Sequence, residues 1–148
     1  MEFEPADPDY ENKVIDSFSR QPFMQFIGAQ LIVVQPGYCE ITLPYKKEIS
    51  QQHGFFHGGI VGTIADNCGG YSAYSLMPVD CSVLTVEYKL NLIASGNGEQ
   101  LVGRGQVVKS GRTLTICRSD VFVIKDGVET QCATSIVTLI TLRGKPDS

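Results

Sequence analysis

One segment of this chain is long enough to form a substantial helix, and strand-like runs lie on both sides of it. The segment extends from about Gly58 to Met77 and is closed by Pro78. No second long helix is predicted that could connect parallel strands, so the strands must pair in antiparallel fashion and pack on the one helix. The sequence therefore predicts an α+β fold in which an antiparallel sheet wraps around a central helix.

The strand-like runs fall into two groups around this helix. Residues 27–34 and 38–44 are separated by Pro36-Gly37 and read as a hairpin, and a short helix over about 10–20 precedes them. After the central helix, apolar and polar residues alternate from Leu84 to Leu92, as in a half-buried strand. Three further strands connected by hairpins are predicted over residues 101–109, 113–124 and 128–142.

Composition and charge limit the class of protein. Of 148 residues, 43% are apolar and 19% are charged, which is typical of a folded globular domain. The net charge of −4 argues against a nucleic-acid partner. We expect an N-terminal segment with a short helix over residues 1–24 and a single domain over residues 25–148.

The cysteine pattern and the hydropathy indicate a cytoplasmic protein. The five cysteines are scattered without a CxxC pair, and an odd number cannot all pair within one chain, which favours a reducing compartment. The acidic, proline-containing N-terminus lacks the features of a secretory signal. No apolar run approaches the roughly 20 residues that span a bilayer, so we expect a soluble protein without a membrane partner.

The central helix is predicted to have two unlike faces. One face is an apolar stripe made of Ile60, Ile64, Cys68 and Tyr71, and small or polar residues occupy the other, namely Gly59, Gly62, Thr63, Asp66, Gly69 and Gly70. Each interior glycine costs about 1 kcal/mol of helix stability relative to alanine. The close approach of another chain, of a ligand or of this chain's own curved sheet would offset that cost.

The start of the helix and the acid within it suggest acyl transfer or hydrolysis. Backbone N–H groups at a helix start favour negative charge, and Gly58 has no side chain to block the approach of a carbonyl oxygen. Asp66, about two turns later, could attack the carbonyl carbon or activate water. Alternatively, Asp66 is a solvated surface group and His57 only begins the helix.

Other chemistries have weaker support in the sequence. It contains no GxSxG nucleophile elbow, no HExxH or paired-cysteine metal motif, and no phosphate-binding loop or dinucleotide fingerprint in the right context. We therefore expect no metal site and no cofactor.

The pattern Gly54-x-x-His57-Gly58-Gly59, followed by Asp66 and then by an alternating strand, resembles the PaaI-like hotdog thioesterases over about residues 25–142. The resemblance implies the hotdog fold, with a long central helix wrapped by a curved antiparallel β-sheet. It also implies hydrolysis of acyl-CoA by homodimers with active sites at the interface, often paired into homotetramers.

The resemblance also implies roles for particular residues. The Gly58 N–H would bind the thioester carbonyl oxygen, and Asp66 would be the nucleophile or general base. His57 and Gln51 would help to orient them, although the family often has asparagine where Gln51 stands. Thr85 corresponds to a position near the attacking water.

The coenzyme would be held by a different set of residues. The resemblance places Gly59 in substrate binding and brings the basic turn at Lys109, Gly111 and Arg112 near the phosphates of CoA.

Two other functions are open at this point. A non-catalytic acyl-CoA binding protein would keep the cleft without hydrolysing the thioester, and a hotdog hydratase or dehydratase would change a double bond without releasing thiol. The sequence leaves the acyl group open between aryl, short-chain and medium-chain.

Overall fold

Six antiparallel strands curve around one long helix in a computed structural model that describes residues 2–147. The sheet order is β1-β2-β4-β5-β6-β3. The elements are α1 (Tyr10–Ser19), α2 (Pro22–Ile27), β1 (Gln30–Gln35), β2 (Tyr38–Pro44), α3 (Gly58–Tyr74), β3 (Cys81–Leu92), β4 (Gln100–Ser110), β5 (Leu114–Lys125) and β6 (Val128–Arg143), with a short 3-10 turn at Lys47–Ile49. This arrangement confirms the predicted α+β hotdog fold. Among the described residues, no helix combines the length and apolar character that a membrane span requires.

The core lies between α3 and the concave face of the sheet. Ile64, Ala65 and Cys68 of α3 are completely buried there. Glycines in β4 let the sheet approach the helix closely: a methyl group on Gly103 would lie 2.7 Å from the Cys68 Sγ atom, and one on Gly105 would overlap the Cys68 carbonyl group. Cys68 is a core thiol, as predicted, and burial raises its pKa well above the usual value.

The glycines of α3 pack against this chain's own sheet. A methyl group on Gly62 would lie 3.2 Å from the hydroxyl of Tyr88 in β3, and one on Gly69 would lie 3.0 Å from Val137 in β6. The sequence left open whether these glycines allow the close approach of another chain, a ligand or this chain's own sheet. At Gly62 and Gly69 it is the sheet of the same chain that approaches.

The N-terminal helices belong to the same core. α1 begins and ends close to the predicted bounds, and Val14, Met24 and Ile27 are almost completely buried. α2, a six-residue helix that starts at Pro22, was not predicted from the sequence. It ends at Gly28, which has a φ of 86°. Six residues are too few for a hydrophobic period to appear, and the proposed division between residues 24 and 25 falls inside this helix.

Strand β3 departs from the predicted half-buried pattern. It pairs with β6 on one side only and forms an edge of the sheet. Leu84, Val86 and Leu92 are 58%, 55% and 56% exposed. The alternation correctly predicted a strand but not its environment, since nothing in the described chain covers this edge.

Candidate functional site

Asp66 and Thr85 are held together between α3 and β3. The hydroxyl of Thr85 donates a hydrogen bond of 2.7 Å to Oδ1 of Asp66. Asp66 is half-buried, and burial raises the pKa of its carboxyl group, while the hydrogen bond from Thr85 acts in the opposite direction. The result is a carboxylate that is more basic than an exposed one and still fixed in orientation.

A β-bulge in β3 aims Thr85 at the helix. Thr85 is paired with Leu139 of β6 and Glu87 is paired with the adjacent Thr138, so Val86 is an extra residue in the ladder. The insertion reverses the alternation of faces along the strand. Without the bulge, Thr85 would share a face with Glu87 and point away from Asp66.

The first turn of α3 carries the second group of predicted residues. His57 precedes the helix, and its Nδ1 atom accepts a 2.9 Å hydrogen bond from the N–H of Gly59. The His57 carbonyl oxygen accepts from Ile60 and Val61. Residues 2–147 supply no acceptor for the N–H of Gly58, which lies at the first helical position and is free to bind an oxyanion.

Gln51 lies near Gly58 but is engaged in its own loop. Its side-chain oxygen accepts a hydrogen bond from the backbone N–H of His53. Gln51 and Gly58 line the same cavity of about 230 Å³, together with Phe55, Phe56, Val61 and Leu92. A different hollow of about 320 Å³, on the other side of the helix start, is lined by His57, Gly59, Phe23 and Thr63 among others.

The two groups of predicted residues are separate within one chain. Gly58 and Asp66 are eight residues apart on one helix, which corresponds to about 12 Å along its axis. They also line different cavities. A single chain therefore does not bring the Gly58 N–H and the Asp66 carboxylate to one carbonyl group.

The cavity beside Asp66 has a volume of about 340 Å³ and includes residues that the sequence analysis did not select. Gln21 donates hydrogen bonds from Nε2 to Asn67 Oδ1 (2.9 Å) and to the hydroxyl of Tyr71 (2.7 Å). The Tyr71 hydroxyl lies 3.2 Å from Ser17 Oγ. Tyr71 was assigned to the apolar stripe, and its ring is buried, but its hydroxyl belongs to this polar group. No local signal marks Ser17 or Gln21, since only the packing of α1 and α2 brings them to α3.

The predicted basic turn lies at the β4–β5 hairpin. Lys109 and Arg112 are exposed, and Gly111 donates its N–H to the carbonyl of Leu114 (2.9 Å). Arg143, at the end of β6, adds a third cation by donating to the Arg112 carbonyl (3.3 Å). In the described part of the chain, no carboxylate lies within 4.0 Å of these three cations.

No cluster of three or more histidine, cysteine, aspartate or glutamate side chains suited to a metal ion occurs among residues 2–147.

Comparison with known proteins gives a consistent result. The model of the thioesterase superfamily matches residues 53–130, just over half of the chain. A thioesterase family protein from Silicibacter pomeroyi, known from its crystal structure, is 45% identical, with a TM-score of 0.90 over 91% of this chain and 99% of that chain.

Two more distant structures share the fold. The PaaI protein from the phenylacetic acid degradation operon of E. coli is 14% identical, with a TM-score of 0.81 over 95% of this chain and 98% of that chain. A thioesterase from Haemophilus influenzae is 16% identical, with a TM-score of 0.78 over 88% of this chain and 89% of that chain.

Proposed function

Because this chain belongs to the thioesterase superfamily, we propose that it is an acyl-CoA thioesterase whose active site combines Asp66 of one subunit with Gly58 of a second copy. Membership confirms the resemblance inferred from the motif at His57-Gly58-Gly59 and Asp66, and it indicates thioester hydrolysis in general terms. The acyl-CoA substrate, the catalytic residues and the dimer are the proposal.

One observation carries it: two half-sites with complementary chemistry lie about 12 Å apart on one helix. The free N–H of Gly58 is suited to the oxyanion, and the basic carboxylate of Asp66 is suited to generating the nucleophile. A second copy related by a two-fold axis would bring each half-site to its complement, so that every dimer has two complete sites.

The exposed edge of β3 is the surface on which we place the second copy. Five large apolar side chains on or just after β3 are at least 43% exposed: Leu84, Val86, Tyr88, Leu92 and Ile93. A twelve-residue edge strand with free backbone groups is a template for pairing with another chain. Pairing there would also cover the half-site at Gly58, which lines the same cavity as Leu92 of β3.

The reaction follows from these positions. Asp66 takes a proton from water, whose oxygen attacks the thioester carbon, while Thr85 holds Oδ1 of the carboxylate. The negative charge that develops on the carbonyl oxygen is stabilised by the partner's Gly58 N–H and the helix start. The carbon–sulfur bond then breaks, and CoA leaves as a thiolate that takes up a proton. The three cations at Lys109, Arg112 and Arg143 would bind CoA phosphates.

The five cysteines are all free and buried. This state fits the reducing cytoplasm in which we propose that the enzyme acts.

The first test measures thiol release from a panel of aryl, short-chain and long-chain acyl-CoAs. We expect release by the parent protein and a fall of at least about 10²-fold in kcat/KM for Asp66→Asn. Binding of the esters without any release would contradict hydrolysis and favour the acyl-CoA binding protein. A single turnover in oxygen-18 water tests the role of Asp66, because label in its side chain would show direct attack and contradict the general-base role.

The Gly58 N–H can be removed without breaking the helix. Proline is tolerated at the first helical position, and His57 (φ −63°, ψ 138°) already has the backbone conformation that precedes proline. We expect Gly58→Pro to lose about 10²- to 10³-fold in rate relative to Gly58→Ala, which keeps the N–H. Equal rates for the two variants would remove Gly58 from the oxyanion site.

Mixing two inactive variants tests the shared site. A heterodimer of Asp66→Asn and Gly58→Pro subunits has one site with both groups intact. Random exchange of equal amounts should therefore restore about one quarter of the parent activity. If each site lay within one chain, no activity would return.

A further inference from the structure

The cavity beside Asp66 extends along α3 toward its C-terminal end, where neutral polar side chains lie beside the Arg20–Asp147 ion pair. The lining includes Asn67, Gly70 and Tyr71 from α3 and Ser17 and Gln21 from the α1–α2 region. We propose that Gln21, Tyr71 and Ser17 form an acyl-recognition subsite that selects acyl groups carrying an uncharged hydroxyl group at their far end. This inference rests on the proposed thioesterase function.

The hydrogen-bond inventory of the cluster leaves one acceptor and one donor. Both donor contacts of Gln21 Nε2 are used, by Asn67 and Tyr71, and Gln21 Oε1 receives no hydrogen bond from the described residues. The Tyr71 and Ser17 hydroxyl oxygens lie 3.2 Å apart, so one of the two hydroxyls donates its proton to the other. The proton of the accepting hydroxyl remains available to a substrate. A substrate hydroxyl could use both, whereas an alkyl end would leave both without a partner at a cost.

Charge around the cavity disfavours an acyl carboxylate. Arg20, the one cation in the lining, is already paired with Asp16 at 2.9 Å and with Asp147 at 2.8 Å. Asp66 and Asp147 both line the cavity. An anionic acyl group would therefore meet two carboxylates and a neutralised guanidinium.

The spacing sets the length of the acyl group. Tyr71 is five residues beyond Asp66, or about 7.5 Å along the helix axis. Gly70 lies between them and has no side chain to block the path. An extended chain advances about 3.5 Å for every three bonds, so about six bonds cover this distance.

Two of the three subsite residues lie outside the part of the chain that matches the superfamily, and Tyr71 lies within it. Ser17 and Gln21 precede the residues 53–130 that match the family model.

The experiment compares CoA esters that differ only at the far end of the acyl group. 6-Hydroxyhexanoyl-CoA and heptanoyl-CoA are matched in length, and adipoyl-CoA carries a carboxylate instead. We expect the parent protein to prefer the hydroxyl ester over the methyl ester by at least about 10-fold in kcat/KM. The preference should fall to within about 3-fold in Tyr71→Phe and in Gln21→Met, with adipoyl-CoA the poorest substrate of the parent.

Two control variants show whether a change in preference is specific. Tyr74→Phe removes a hydroxyl from a buried ring one turn from Tyr71, outside the cavity lining, and Gln25→Met removes an exposed amide from α2. Both should keep the parent's preference. If the controls lose it as well, the effect comes from general loosening of the fold and the subsite is refuted.

Affinities measured by calorimetry in the Asp66→Asn background separate the subsite from the chemistry. A preserved hydroxyl preference in binding, with no thiol release by the parent, would contradict the thioesterase and support the subsite. Thiol release with equal kcat/KM for the matched pair, or with adipoyl-CoA preferred, would refute the subsite and leave the thioesterase standing. Failure to bind any of the three esters would refute both.

Discussion

At the residue scale, the Asp66 carboxyl group is subject to two opposed effects. Burial raises its pKa, and the hydrogen bond from Thr85 lowers it. Because the ionised form is required for general-base catalysis, the balance of these effects sets the acid limb of the pH–rate profile.

Replacing Thr85 with valine should move that acid limb to higher pH. The substitution keeps the branched shape but removes the donor that favours the ionised carboxylate, so the Asp66 pKa rises further above its usual value. At a pH below the midpoint, kcat/KM should fall more than it does on the plateau. The full pH profile of kcat/KM is the measurement.

Thr138→Val is the matched control for this change. Thr138 donates to Glu87, so the control also removes a hydrogen bond between a threonine and a carboxylate, but one on the face of the sheet that points away from α3 and Asp66, since Val137 and Leu139 on either side of Thr138 are buried against the helix. Its profile should coincide with that of the parent. A downward shift of the acid limb in Thr85→Val would show that the assigned effect of Thr85 is wrong.

At the element scale, close contact between α3 and the sheet determines which glycines are replaceable. A methyl group on Gly70 would lie 3.6 Å from the nearest atom of Leu139, an ordinary contact. A methyl group on Gly105 would lie 2.6 Å from Ser72 Oγ and overlap the Cys68 backbone. The same substitution should therefore have opposite effects at the two positions.

We expect Gly70→Ala to stabilise the fold by about 1 kcal/mol, since alanine is the better helix former. Gly105→Ala should destabilise it by about 1–3 kcal/mol or more, because helix backbone cannot move aside as a flexible side chain can. Urea unfolding at a fixed protein concentration measures both. Destabilisation by Gly70→Ala would mean that this face of α3 is packed more tightly than the contacts indicate.

At the scale of the whole molecule, β3 is a long strand at one edge of the sheet, and within the described chain it pairs on one side only. The opposite edge strand, β1, is half as long and is bulged between Leu31 and Val33. Length, exposed apolar side chains and proximity to both half-sites all favour β3 as the dimer edge.

Val86→Glu should therefore weaken the dimer. The charge would lie on the proposed contact edge and lower the mass in solution toward the 16.2 kDa of one chain, with loss of thiol release. Val128→Glu is the control: Val128 is 64% exposed, at the start of β6, and its substitution should leave the mass unchanged. Light scattering of the parent also tests whether dimers pair into the homotetramer implied by the resemblance. An unchanged mass for Val86→Glu would place the dimer contact elsewhere.

Local signals along the chain were enough to predict the main elements and the chemical groups of the candidate site. Hydrophobic period, Pro78 and the turn residues are local signals, and they predicted α1, α3 and the later strands to within a few residues. The motif at His57-Gly58-Gly59 with Asp66 also identified the family, because it is a local pattern of residue types at a fixed spacing along one helix.

How those groups are combined depends on contacts made in the folded chain. The bulge at Val86 turned Thr85 toward Asp66, and α1 and α2 brought Ser17 and Gln21 to the same cavity. The separation of Gly58 from Asp66 points to a site shared between two copies only because the free edge of β3 offers a surface for the second copy. Packing between residues distant in sequence determines the direction of a side chain in a bulged strand and the contacts between helices. Local sequence patterns therefore do not predict these features.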